Sequence, residues 1–157
     1  ASALACQWQQ GLAFLERAQQ RIAATGASAE WGVPIDAFQA LCLAGLGDAE
    51  RSLELVRRSA QGPTTSLKFI AGFVRARALR TIGHVDDEID NEITDTLAGL
   101  KRTGLLGLLP LLLLERAGLA RMRGDPDHMA TDLAEARRLL TQMRVTGWDD
   151  YASSIEA

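Results

Sequence analysis

The sequence predicts an all-α fold built from antiparallel helix pairs, and three observations lead to it. Apolar residues recur every three or four positions in almost every segment, and no segment alternates as a strand does. Glycine and proline separate these segments at intervals that suit helices joined by short turns. Three short phrases share one skeleton, in which an Ala stands seven residues before a Gly. We expect about eight helices, arranged in a right-handed superhelix or a compact bundle.

The repeated phrases cover residues 40–48, 76–84 and 117–125. Their glycines are 36 and 41 residues apart, which is the period of a two-helix repeat. A small residue lets the facing helix approach closely, so we assign repeat packing to Ala40, Ala76 and Ala117. A glycine just past a helix end can adopt the left-handed conformation that terminates the helix. We assign this role to Gly47, Gly83 and Gly124.

The elements follow from these signals in chain order. The first helix carries the stripe Trp8, Leu12, Leu15, Ala18 and Ile22 and stops at Gly26. The second starts near Pro34, a residue suited to a first helical turn, and ends around residues 45–47. Asp48 caps the third, and Gly62-Pro63 breaks it.

The fourth helix is capped by the hydroxyls of residues 64–66 and runs to Ile82. After Gly83, a fifth helix carries the most regular stripe of the chain and ends at Gly104 and Gly107. Pro110 opens a sixth that reaches Met122, and Asp125-Pro126 opens a seventh. A short eighth helix near residues 148–155 closes the chain.

Composition bounds the class of protein. The 157 residues fit one domain, 1–157, and we expect it to be a piece of a larger protein because Ala1 is no initiator Met. A net charge of −3 argues against direct binding of nucleic acid. Cys6 and Cys42 lie in apolar stretches without metal-ligand spacing, which favours core thiols and a reducing compartment, the cytoplasm. No secretory signal or membrane span is recognisable.

The most apolar segment covers residues 105–114, in the letters L-L-G-L-L-P-L-L-L-L. It is too short to cross a membrane, which takes about twenty residues. A helix that is apolar on all sides is either buried within its domain or covered by a partner. The segment therefore predicts a buried helix start or, alternatively, the interface of a homodimer.

The Ala, Leu and Gly spacing resembles the tetratricopeptide repeat. Residues 111–148, with L-L-L-L-E-R-A-G-L-A-R-M-R-G-D and A-E-A-R-R-L-L-T-Q-M-R-V-T-G-W, resemble the C-terminal helical repeats of large bacterial signalling ATPases. These include LuxR-type and MalT-like transcriptional activators and cyclase-linked regulators. The resemblance implies a sensor domain that controls an ATPase and an output domain. Because the sequence shows no Walker A loop and no helix-turn-helix, the resemblance implies the sensor segment without the ATPase or the output domain.

Three motifs are candidates for chemistry, and each has a simpler explanation. The acidic run 86–92 after His84 lacks the spacing of a calcium loop and suits a first helical turn. His84 and His128 have no recognisable nucleophile beside them, which favours surface histidines. Arg123-Gly124-Asp125 spells an adhesion tripeptide but occupies the repeated turn position. We therefore expect no catalytic residue, no metal and no cofactor.

The arginines of the first helix of each pair are the better candidates for binding. In tetratricopeptide repeats this helix lines a concave groove, and positions six and three before the turn glycine face it. They place Arg77, Arg80 and Arg121 in the groove, where guanidinium groups suit a carboxylate or phosphate. We assign Phe73 to the same groove.

The sequence thus predicts a non-catalytic interaction or sensor module. We expect its partner to be a protein or peptide, for which acidic residues would suit the arginines, or a small-molecule effector. A structural oligomerisation module and a small helical enzyme are the alternatives.

Overall fold

The structure is a computed structural model that describes residues 7–26, 28–61 and 67–156. These residues form eight α-helices and one short 3₁₀ helix, and none of them lies in a strand, so the all-α prediction is confirmed. The helices are α1 (Trp8–Thr25), α2 (Ser28–Gly45), α3 (Ala49–Ala60), α4 (Lys68–Thr81), α5 (Asp87–Thr103), α6 (Leu109–Met122), α7 (Pro126–Gln142) and α8 (Asp149–Glu156); the 3₁₀ helix is Leu106–Leu108. None of the described helices is long and apolar enough to cross a membrane.

The helices belong to two compact units, one ending at His84 and the other starting at Val85. In the first unit, α2 packs against α1, α3 and α4. In the second, α6 packs mainly against α7 and also contacts α5 and α8. The pairs α2–α3 and α6–α7 are therefore real packing partners within their units. The single domain over residues 1–157 stays a prediction.

Helix α1 packs through the stripe that the sequence predicts. Trp8, Leu12, Leu15, Ala18 and Ile22 are partly buried, whereas most residues between them are exposed. The helix ends at Gly26, whose positive φ of 74° provides the left-handed stop. At the start of the helix, the indole of Trp8 lies directly against Gly45, the last residue of α2. The absence of a side chain at Gly45 makes this close approach possible.

The predicted start of α2 near Pro34 is wrong. The helix begins at Ser28, and Pro34 lies inside it. An interior proline forfeits one backbone hydrogen bond and crowds the preceding turn, at a cost of about 3 kcal/mol. The neighbours Val33 and Ile35 are buried, and their burial offsets that cost. Proline position alone therefore misplaced the helix start.

The three repeated glycines end their helices in one common backbone geometry. The φ angles of Gly47, Gly83 and Gly124 are 84°, 84° and 71°, which confirms the left-handed conformation predicted for them. After each glycine, the next backbone N–H returns to a carbonyl five residues earlier, at 2.9 Å in all three turns. The accepting carbonyls belong to Leu43, Leu79 and Ala120. This is the Schellman pattern of helix termination.

The aspartates after two of these turns start the next helix. Asp48 accepts a hydrogen bond from the Arg51 N–H and Asp125 accepts one from the His128 N–H, each at 3.2 Å. Asp86 caps α5 through the Glu88 N–H, at 3.1 Å. The predicted break at Gly62-Pro63 and the capping hydroxyls 64–66 lie outside the described residues.

The Leu-rich segment is divided between surface and core. Leu105 and Leu106 are about half exposed, at 50% and 51%, before and within the 3₁₀ helix. From Leu109 the chain is helical, with Pro110 in the first turn as the sequence predicts. Leu113 and Leu114 belong to the core of the second unit. The remaining members of this core come from α6, α7 and α8, namely Ala117, Leu133, Ala136, Leu140, Ala152 and Ile155.

A fourth turn of the same kind follows α7, but its left-handed residue is Arg144, with φ 54°. The Val145 N–H bonds the Leu140 carbonyl at 3.0 Å, as in the glycine turns. A non-glycine residue costs roughly 1–2 kcal/mol in this conformation. We expect Arg144→Gly to stabilise the protein by about 0.5–1 kcal/mol, because the added freedom of the unfolded chain offsets part of the gain.

Urea unfolding checks this expectation, and Gly124→Arg is the reciprocal control. A Cβ atom at Gly124 would meet nothing within 4 Å, so Gly124→Ala should lose stability as well if the backbone conformation, and not the arginine side chain, is the cause. An Arg144→Gly protein less stable than the parent would contradict the assigned conformation.

Candidate functional site

The predicted groove residues lie on two helices, one in each unit. Phe73 and Arg77 lie in α4 and are only 2% and 4% exposed, and Arg80 is partly buried near the end of that helix. Arg121 is exposed in α6, and its Nη1 donates to the Ser154 carbonyl of α8 at 3.1 Å. In this conformation Arg80 and Arg121 offer surface to a ligand, whereas Phe73 and Arg77 offer almost none. The groove assignment stays a prediction.

The repeated alanines are in the core. Ala40, Ala76 and Ala117 have no exposed surface. The backbone carbonyl of Ala40 accepts a 2.9 Å hydrogen bond from the buried hydroxyl of Ser52 in α3, across the α2–α3 interface. This bond forms only where the two helices lie close together, and a small residue such as Ala40 permits that close approach.

A cavity of about 320 Å³ lies in the second unit, among α5, α6 and α7. Leu119 and Ala120 form its apolar part. Its polar lining carries both signs of charge and consists of Asp90, Arg116, Arg123, Asp125, His128 and Asp132.

Each cation of this cavity is paired with a carboxylate. Arg116 holds Asp132 through two hydrogen bonds of 2.7 and 2.6 Å, and the bonding raises the pKa of the guanidinium. Arg123 holds Asp90 at 3.0 and 2.8 Å and also donates to the Val85 carbonyl at 2.6 Å. Arg123 thereby ties the end of α6 to the start of α5. The two arginines position helices, and their bidentate pairs leave little charge for a ligand.

His128 forms the third pair of the cavity. Its Nδ1 lies 2.6 Å from Oδ2 of Asp125, while its backbone N–H bonds the other carboxylate oxygen. The hydrogen bond from the His128 backbone is the main cause that lowers the pKa of the Asp125 carboxyl, and the bond to the His128 side chain is the next. Both groups stand at the exposed first turn of α7. No hydroxyl or thiol lines this cavity among the described residues, so His128 has no nucleophile to activate there.

A second cavity, of about 290 Å³, lies in the first unit. Three helices line it: α1 through Leu12, Glu16 and Gln19, α2 through Gln39 and Leu43, and α3 through Arg51, Glu54, Leu55 and Arg58. The amide of Gln39 donates from Nε2 to Oε1 of Gln19 at 3.1 Å, which links α2 to α1. The sequence alone predicts no binding role for any residue of this cavity.

Asp36 and Arg58 form an ion pair that supports this second cavity. Arg58 of α3 donates to both carboxylate oxygens of Asp36 of α2, at 2.8 and 2.7 Å. Burial of the aspartate, with 12% of its side chain exposed, makes the pair partly protected from water. A charged residue inside the apolar run V-P-I-D-A-F is the sequence signal that marks such a pair.

A similar signal marks Glu115, which follows four leucines and is fully buried. The Tyr151 hydroxyl of α8 donates to its carboxylate at 2.6 Å. Tyr151 also contacts Trp148 edge to face, with ring centroids 5.8 Å apart. This polar contact holds α8 on α6 within the second unit.

The remaining candidates for chemistry are clusters of metal ligands and free cysteines. Within the described ranges, no group of three His, Cys, Asp or Glu side chains could hold a metal ion. Cys42 is a fully buried free thiol, and burial raises its pKa to about 11. A thiol with so high a pKa is a poor nucleophile. Cys6 lies outside the described residues.

Comparison with known proteins adds no relative: no family model, no curated protein and no solved structure matches the chain. The structural class therefore follows from the fold alone: the described residues are all-α and form two compact helical units.

Proposed function

We propose that this chain is a non-catalytic helical-repeat module that binds an acidic protein or peptide. The observation that carries the proposal is the common turn at Gly47, Gly83 and Gly124, with one hydrogen-bond pattern at each. Such recurrence is typical of helix-pair repeats, which bind partners along extended faces. The resemblance of residues 111–148 to the sensor repeats of bacterial signalling ATPases supports a regulatory role.

The side chains support binding better than catalysis. Arg116 and Arg123, which line the cavity of the second unit, are held in bidentate pairs. Arg80 and Arg121 are the arginines of the predicted groove that retain surface. Guanidinium groups at such positions suit the carboxylates of an acidic partner. The net charge of the chain is −3, so long-range electrostatic attraction would not favour an acidic partner, and binding would depend on these local arginines.

The test uses a fluorescent hexaglutamate peptide as the probe, with hexalysine for comparison, at low ionic strength. We expect hexaglutamate to bind more tightly, and Arg80→Glu and Arg121→Glu each to weaken it about fivefold, the effect of a loss of roughly 1 kcal/mol. Arg102→Glu makes the same charge change at an exposed site at the end of α5 and is the matched control. Fluorescence anisotropy measures the affinities.

Two results would count against the proposal. One is hexaglutamate binding no tighter than hexalysine. The other is an equal loss of affinity in the Arg102→Glu control and in the groove variants, which would show a general charge effect.

A homodimer is the second candidate, and the half-exposed Leu105 and Leu106 favour it. Exposed leucines beside a buried apolar helix suit a contact between copies. Light scattering at several protein concentrations distinguishes a monomer from a dimer.

A further inference from the structure

The cavity of the first unit is lined by two glutamates and two arginines. Glu16 of α1 and Glu54 of α3 line it, and neither forms an ion pair with a described residue. The two lining cations are already held by other carboxylates: Arg58 by Asp36 at 2.7 Å and Arg51 by Asp48 at 3.3 Å.

The charge balance is negative once the partners of the lining arginines are counted. The lining itself carries two glutamates and two arginines, but each arginine is held by an aspartate outside the lining, Arg51 by Asp48 and Arg58 by Asp36. Counted with these two aspartates, four carboxylates stand against two guanidinium groups, a formal charge of −2. Glu54 also interacts at longer range with Arg58, one helical turn away. A cation would complete this balance.

The amide of Gln39 adds a directed acceptor. Gln39 is only 6% exposed, yet it is part of the cavity lining. The Nε2 atom is used by Gln19, which fixes the orientation of the amide. The Oε1 atom then remains as an acceptor for a ligand, because an amide oxygen has two lone pairs and no described residue donates to it.

The apolar part of the lining consists of three leucines, one from each helix: Leu12, Leu43 and Leu55. A chain of methylene groups packs against leucine while a charged end stays with polar partners, as lysine side chains do on protein surfaces. An amphipathic cation fits this lining better than a bare metal ion, which would leave the leucines without contact.

We propose that this cavity binds an alkylammonium group, with the ammonium between Glu16, Glu54 and the Gln39 amide oxygen and the alkyl chain on the leucines. The group comes from a free aliphatic amine or from a lysine side chain of a peptide. This site is separate from the arginine groove and does not depend on it.

The probe is pentylamine, titrated into the isotopically labelled chain and followed by the backbone amide signals of Gln39 and Leu43. We expect saturable shifts at these residues, with a dissociation constant on the order of millimolar for so small a ligand. Added salt should weaken binding, because the carboxylates are near the surface. The uncharged analogue pentanol should bind at least about fivefold more weakly.

The test variant combines Glu16→Gln with Glu54→Gln, which keeps the shape of both side chains and removes their negative charges. We expect the double variant to bind pentylamine about tenfold more weakly, from several-fold losses at each position. Glu50→Gln is the matched control, because Glu50 is an exposed glutamate one turn before Glu54 in α3 and does not line the cavity. Its affinity should equal that of the parent.

N-acetyl-lysine methylamide distinguishes the two sources of the ammonium group. Equal or tighter binding than pentylamine assigns the site to a lysine side chain, and markedly weaker binding assigns it to a free amine. Absence of shifts at Gln39 and Leu43 would overturn the proposal. So would equal affinities of the parent and the double variant, or equal binding of pentanol. Circular dichroism of each variant verifies that its helices are intact.

Discussion

Gly45→Ala is expected to destabilise the first unit by about 2 kcal/mol, the scale of overpacking in a filled interface. A methyl group at this position would overlap the indole of Trp8. Trp8 is the first residue of α1, so the helix must shift or lose its anchor on α2. Urea unfolding, together with hydrogen exchange of the α1 amides, measures the effect.

Gly32→Ala is the matched control for this prediction. Gly32 lies in the same helix, and a Cβ atom there would meet nothing within 4 Å. Replacing a helical glycine by alanine stabilises a helix by up to about 1 kcal/mol, so this variant should gain stability. The two substitutions remove the same residue type and differ in what the methyl group meets. Equal stabilities of the two variants would show that Trp8 does not lie on Gly45.

A double-mutant cycle separates the contact from helix propensity. If Trp8 causes the loss, Gly45→Ala should cost much less in a Trp8→Ala background, and the coupling should exceed about 0.5 kcal/mol. A cost that is unchanged by Trp8→Ala would assign the loss to the end of α2 itself.

Arg116→Met is expected to cost about 2 kcal/mol of unfolding free energy. The substitution leaves the Asp132 carboxylate, whose side chain is 7% exposed, without its bidentate partner. Loss of one partner of a fully buried ion pair costs about 3–5 kcal/mol. We expect a smaller value because 46% of the Arg116 side chain is exposed and water screens the pair.

Two further variants test the cause of this loss. Arg116→Met with Asp132→Leu removes both charges and should recover much of the stability, because no buried carboxylate is left unpaired. Arg138→Met is the control: Arg138 pairs with Glu135 at 2.6 Å, but both side chains are exposed, so its loss should stay below about 0.5 kcal/mol. Equal losses for Arg116→Met and Arg138→Met would refute the role of burial.

The sequence predicted the turns of this fold but not its cavities. Gly47, Gly83 and Gly124 were recognisable because a left-handed helix end depends on one local residue and its spacing. Pro34 predicted the wrong start of α2, because burial of its neighbours offsets the cost of an interior proline. That burial depends on the packed structure and not on the local sequence. The cavity lined by Glu16, Gln39 and Glu54 left no motif, since its residues come from three helices and meet only in the packed unit.

By itself, the sequence determined the helical class, the helix ends at glycine and most of the buried stripes, because these depend on residue period and backbone freedom. Only the tertiary structure decided which charges are paired. Asp36 with Arg58 and Asp132 with Arg116 are joined across helices, over separations of 22 and 16 residues. It also decided that Phe73 and Arg77 are buried while Arg80 and Arg121 keep surface. Exposure is a property of what packs against a side chain, and no local pattern contains that information.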